Sequence, residues 1–185
     1  MKTKNIYRQG SLILVKKVVI VCCGLVWLFG CHSQPANLNL ISVEVTRVIS
    51  GQTLEIIEPK TNRLTQVRIM GIDAPDLKQS PWGIAAREKL TASIHNRDRI
   101  ELESATITRD RFNRLITHVW HNGTLVSEQL LEEGYVLANT KYPHKYSQRL
   151  MNAQEYARLM GYGIWHPQQP MRLTPRQFRS QHTAR

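Results

Sequence analysis

A mainly β domain with about three helices is what the sequence predicts, its five short strands closing into a Greek-key barrel. Three observations carry this. β-branched runs recur at short intervals and are separated by turn residues. A helical spacing interrupts them once, between the third run and the fourth. Two further helical stretches follow the fifth run. This is the OB-fold arrangement with helices added at its C-terminal end.

The elements follow in order. Ser42–Ile49, "SVEVTRVI", alternates in part and is β-branched, which predicts a first strand. Gly51 turns the chain and Thr53–Ile57, "TLEII", returns. Asn62 and Arg63 turn it again into a third strand, Gln66–Ile72, completing an antiparallel meander. Ser80 is placed to cap a helix with Pro81 at its first position, and Ala86, Leu90 and Ile94 recur every four residues. Arg99–Ser104 alternates as a fourth strand. Arg114–Trp120 is a fifth, closed by the hairpin signal Asn122–Gly123. "LVSEQLLEEG" predicts a short helix stopped by Gly134. Leu150, Ala153, Ala157 and Met160 stripe a last helix that ends at Gly161.

The rest of the chain is expected to lie outside this domain. Lys2, Lys4, Arg8, Lys16 and Lys17 precede the acid-free apolar run Val18–Cys31, the layout of a secretory signal over residues 1–30. "LFGC", Leu28–Cys31, resembles the bacterial lipoprotein box, which implies cleavage before Cys31 and lipid attachment to it. His32 rather than Asp follows, which implies an exported lipoprotein of the outer membrane, facing the periplasm. Residues 31–40 read as a tether, 41–167 as the domain, and 168–185 as a basic, disordered tail without acids. Cys22, Cys23 and Cys31 are the three cysteines, so the domain itself holds no disulfide and depends on packing alone. Without the leader, 20 Lys and Arg stand against 14 Asp and Glu, an excess that favours a polyanionic partner.

The stretch "VRIMGIDAPD", Val67–Asp76, raises the functional question. A strand-like run ends in Asp73 and Asp76 with Pro75 between them. Such acids can punctuate a turn, because Asp bonds nearby backbone N–H groups. They can also hold carboxylates at a sheet edge for chemistry. Arg68 lies on the same run and Arg114 on another strand, and two guanidinium groups converging on one phosphate grip it bidentately. His118 and His121, three apart on a strand, are expected to face opposite sides as exposed strand-end residues. Trp120 and Trp165 are expected in core or rim packing.

Four segments in this order, "VISGQTLEI", "VRIMGIDAPD", "DRFNR" (Asp110–Arg114) and "LLEEGYVLANTKY" with the later "GIW" (Gly163–Trp165), resemble the staphylococcal nuclease (thermonuclease) family over about Ser42 to His166. The resemblance implies an OB-fold barrel and a Ca²⁺-dependent phosphodiesterase that cuts DNA and RNA with little sequence preference, acting as a monomer. It implies that Arg68 and Arg114 grip the phosphate, that Asp76 stands where a general-base Glu is expected, and that Asp73, the Ala74 carbonyl and Gln52 face the metal. It implies nucleotide contacts from Arg111, Phe112 and Tyr142. The departures concern the acids. The family's first turn, Asp-Gly-Asp, is Ser50-Gly51-Gln52 here, and Asp76 is one methylene short of Glu. Ca²⁺ affinity depends on ligand charge, so the resemblance also admits a catalytically lapsed module that binds nucleic acid or a phosphorylated ligand. Thr140 replaces one base-stacking Tyr, and Asn113 replaces a turn Gly.

Overall fold

Alternation in the first three runs has a barrel as its cause. The inward residues Val43, Val45, Leu54, Ile56, Val67 and Ile69 are all buried, and the residues between them are more exposed. The structure, a computed structural model, describes residues 39–182, which belong to one compact unit. The expected signal segment, Cys31 and most of the tether therefore lie outside the described residues.

Strands β1 (Leu40–Ser50), β2 (Thr53–Glu58) and β3 (Arg63–Ile69) form the antiparallel meander. The third strand stops at Ile69 rather than Ile72. Gly71 takes a φ of +83° there, a left-handed turn that glycine accepts readily and that ends the regular extended run. The chain then enters a separate short strand, β4 (Ile72–Asp73), which pairs with β10 (Leu137–Ala138). Asp73 thus stands on its own two-stranded ladder at the barrel's edge.

Helix α1 (Trp82–Ser93) buries Ala86 and Leu90, and Ile94 follows at its C-terminal end, also fully buried. Ser80 does not cap it: Pro81 takes the cap position without a side-chain bond. The preceding turn holds the helix start instead, with Gln79 N–H donating to the Asp76 carbonyl and Gly83 N–H to the Gln79 carbonyl, 2.8 and 3.0 Å. Gly51 lies under this helix, where an added Cβ would stand 2.6 Å from the Ala86 Cβ. The close approach fixes the first turn against α1.

β5 (Arg99–Glu103) pairs with β1. A 3₁₀ turn at Ser104–Thr106 leads into β6 (Thr108–Arg109). The expected fifth strand is divided: β7 (Leu115–Thr117) runs parallel to β3, and β8 (Val119–His121) runs antiparallel to β5 and pairs with β9 (Thr124–Leu125). The order β6-β7-β3-β2-β1-β5-β8-β9 puts two sequence neighbours, β7 and β8, towards opposite ends of the sheet, which closes it into a barrel. His118 is the residue between them. At a corner of the barrel it is fully buried, not an exposed strand end.

Helix α2 (Val126–Glu132) and helix α3 (Ser147–Met160) complete the expected set. Leu150, Ala153 and Ala157 are buried as the stripe predicts, but Met160 is half exposed, because the last turn of α3 runs past the core towards Gly161. The tail expected to be disordered instead forms helix α4 (Pro175–His182). Thr174 Oγ1 accepts from the Gln177 N–H while Gln177 Oε1 accepts from the Thr174 N–H, 3.2 and 2.9 Å, a capping box with Pro175 at the first helical position.

Candidate phosphate-binding site

Arg68 is the centre of the site. It leaves β3 with its side chain largely buried, and its Nη2 donates to the Ile72 carbonyl at 3.1 Å and lies 3.7 Å from Asp73 Oδ1. Its Nη1 is buried with no hydrogen-bond partner among the described residues. Burial pushes its pKa below the ordinary guanidinium value. The Asp73 and Asp110 charges oppose that, and the Arg114 and Arg179 charges add to it. Arg68 also lines a cleft of about 600 Å³, together with Ile72, Asn139, Tyr142 and His144.

Arg114 stands immediately before β7. The parallel register sets Val67 opposite Leu115 and Arg68 opposite Ile116, so the two arginines rise at one edge, Arg68 from β3 and Arg114 from the residue before β7. Arg114 is tied to Asp110: its Nε donates at 2.8 Å and its Nη2 stands 2.7 Å away. Asp110 also accepts from the backbone N–H groups of Phe112 and Arg114, at 2.9 and 3.0 Å, and so shapes the turn. Burial works to raise the Asp110 pKa, but the Arg114 side chain and these backbone donors hold it below the usual carboxylate range. Asn113 adopts the left-handed conformation, φ +63°, which suits Asn in place of Gly.

The expected nucleotide contacts lie open. Phe112 and Tyr142 are 64% and 66% exposed, enough for a base to stack on either. Arg111 and Arg114 flank the Phe112 ring, with their guanidinium carbons 4.7 and 5.4 Å from its centroid.

The acids behave differently from one another. Asp76 Oδ1 accepts from the Lys78 N–H at 2.9 Å, the turn-making role that Asp plays in many loops. Its backbone supports Gly83 of α1, where an added Cβ would lie 1.9 Å from the Asp76 carbonyl oxygen. No hydrogen bond or ion pair among the described residues joins Asp76 to Arg68, Asp73 or Arg114. Asp73 is engaged from a direction the sequence reading did not consider. Both of its carboxylate oxygens accept from Arg179 Nη2 of α4, at 2.8 and 2.9 Å.

Gln52 closes the group. Its Oε1 accepts from the Ala74 N–H at 2.6 Å, and its own carbonyl accepts from the Ile69 N–H. Gln52, Asp73 and Ala74 therefore do meet. They do not fit a calcium ion as arranged. A hard divalent cation takes roughly six to eight oxygens, several of them anionic. Here the amide oxygen is committed to a backbone donor and the one carboxylate to a guanidinium. Among the described residues no group of three or more His, Cys, Asp or Glu side chains gathers as a metal site.

A family model described as staphylococcal nuclease homologue matches residues 66–167 of the 185. The chain belongs to that family. Among its relatives, the thermonuclease of Staphylococcus hyicus is 29% identical over 136 residues, covering 70% of this chain and 79% of that protein. The thermonuclease of Staphylococcus intermedius is 30% identical over 127 residues, covering 65% and 74%. An uncharacterized endonuclease of Haemophilus influenzae is 26% identical over 137 residues, covering 74% and 72%. This staphylococcal nuclease homologue adds to the matched region a residue that the sequence reading missed, Arg179. The signal was present: "TPRQ", Thr174–Gln177, is a helix-starting pattern that marks the segment as ordered.

Proposed function

We propose that this staphylococcal nuclease homologue is a phosphodiesterase acting on nucleic acid. The observation that carries the reading is Arg68. A buried guanidinium nitrogen without a partner is costly, and an anion arriving from the adjoining cleft would satisfy it. Arg114, just before the neighbouring strand, would donate to a second phosphate oxygen, and the exposed rings of Phe112 and Tyr142 would stack on bases. In hydrolysis, water attacks phosphorus, charge builds on oxygens that Arg68 and Arg114 face, and Asp76 takes the water's proton. The bond to the departing sugar oxygen breaks, and that oxygen leaves as an alcohol after taking a proton from solvent. Calcium dependence, which the family resemblance implies, supplies no step in this reading because the donor set does not fit the ion.

The state of Asp73 favours a second reading, a module that binds nucleic acid through phosphate without cutting it. Digestion of plasmid and of a labelled oligonucleotide, with Ca²⁺, Mg²⁺ or chelator, separates the two. The nuclease reading expects cleavage that Arg68→Ala and Arg114→Ala each reduce by about 100-fold or more. Retention of oligonucleotide with no cleavage under any of the three conditions would leave the binding module. We propose further that the protein is exported and held at a membrane through lipidated Cys31. Fatty-acid labelling that persists in Cys31→Ala would sink that address.

A further inference from the structure

Helix α4 is fastened to the loop that carries the acids. Gln79, 5% exposed, donates from Nε2 to the Leu173 carbonyl at 2.6 Å. Met171 N–H donates to the Ile164 carbonyl at 2.8 Å, and Pro175 is buried at the start of the helix. With the capping box setting the helix direction, Arg179 comes one turn later onto Asp73. The Asp73 carboxylate then has Arg179 at 2.8 and 2.9 Å and Arg68 at 3.7 Å. Two guanidinium groups share one carboxylate, at the place where the resemblance implies a divalent ion.

We propose that Arg179 is the resident cation of this site: it neutralises Asp73 in place of a divalent ion, and a nucleic-acid phosphate is bound against Arg68 and Arg179 without a metal. The charge bookkeeping supports the assignment. Asp73 brings a single negative charge to the two guanidinium groups that it meets. A divalent ion at Asp73 would instead stand beside two cations, with like-charge repulsion and one anionic ligand to hold it. Arginine also cannot lose its proton in the ordinary pH range, so this cation is permanent. Gln52 is consistent with the same design, since a neutral amide there adds no charge for a metal to use.

The proposal rests on reading Arg68 as a phosphate grip, and its test does not use cleavage. The full chain is titrated with Ca²⁺ alone by calorimetry, and with a fluorescent 5′-phosphorylated single-stranded oligonucleotide in chelator and in Ca²⁺. The native protein should retain the oligonucleotide equally in both. Arg179→Gln should weaken retention in chelator by about tenfold or more and raise Ca²⁺ affinity by about tenfold or more. Adding Asp73→Asn to it should remove the calcium gain. Arg179→Lys, which keeps the charge, should hold calcium affinity near native and so guards against an effect of lost folding. Native retention that collapses in chelator, or Arg179→Gln with unchanged calcium affinity, would overturn the proposal. A protein that behaves as expected here but never cuts would lose only the hydrolysis reading, and one whose Arg68→Ala variant retains oligonucleotide normally would lose the phosphate grip itself.

Discussion

Asp73 gathers the residue-scale chemistry, because its carboxylate is where two arginines and the expected cation would compete. Restoring the family's acids tests how much of that competition Arg179 controls. Gln52→Asp supplies a second carboxylate and Asp76→Glu a longer reach. With Arg179 still on Asp73, the double variant should gain calcium affinity only modestly. Adding Arg179→Gln should then release a further gain of about tenfold or more, read by calorimetry, with calcium-dependent cleavage rising alongside. His118 gives a second residue-scale expectation. Burial, aided by the neighbouring His144 and Lys145 and opposed by Glu103, pushes its pKa from 6.5 down to about 4. Its ring lies 4.7 Å from those of both His144 and Tyr146, and neither ring nitrogen has a partner among the described residues. The unfolded chain takes up a proton near pH 6.5, while the folded chain does not until about pH 4. Stability is therefore full above pH 6.5 and is lost as pH falls to about 4, by up to roughly 3 kcal/mol, before levelling off. His118→Phe should flatten thermal midpoints across that window.

At the scale of elements, α4 is an addition to a barrel that closes without it. The β7–β8 corner completes the sheet, and α1, α2 and α3 supply the buried apolar faces. Removing residues 168–185 should leave the barrel intact but replace the hydrogen bond from Gln79 to the Leu173 carbonyl with water, a cost of about 0.5–1.5 kcal/mol in addition to the lost packing of α4. The melting temperature should drop by several degrees. Calcium affinity should rise as in Arg179→Gln, because the truncation exposes the same carboxylate. A truncated protein that melts like the native one would show that α4 is not docked as described.

Without the leader the chain remains basic, with 20 Lys and Arg against 14 Asp and Glu. Much of its attraction for nucleic acid should therefore be long-ranged and screened by salt. If Arg68, Arg114 and Arg179 hold one phosphate between them, they should contribute about −0.7 to the slope of log affinity against log salt for single-stranded DNA. Arg68→Ala should make that slope shallower by up to that share, whereas a change on the far side of the barrel should not. Fluorescence anisotropy across a salt series is the measurement.

The sequence by itself determined the barrel. Period-two apolar runs, turn residues at fixed places and one helical stripe each follow from local backbone physics, and Ala86, Leu90 and Ile94 are buried as their spacing requires. Through the matching segments it also named Arg68 and Arg114 as candidates for a phosphate grip. Strand ends were less legible: Gly71 divides β3 from β4, and His118 divides β7 from β8, because pairing partners far along the chain decide where a ladder stops. Asp76 was legible only as an alternative, a turn residue or an acid for chemistry, and the turn bond to Lys78 depends on how the following helix docks. Only the tertiary structure decided which cation meets Asp73. Arg179 lies 106 positions away in a segment whose composition reads as solvated, and no local rule connects the two. The return of α4 depends on a buried amide, a capping box and a proline acting together, and contact between such distant residues exists only once the barrel has formed.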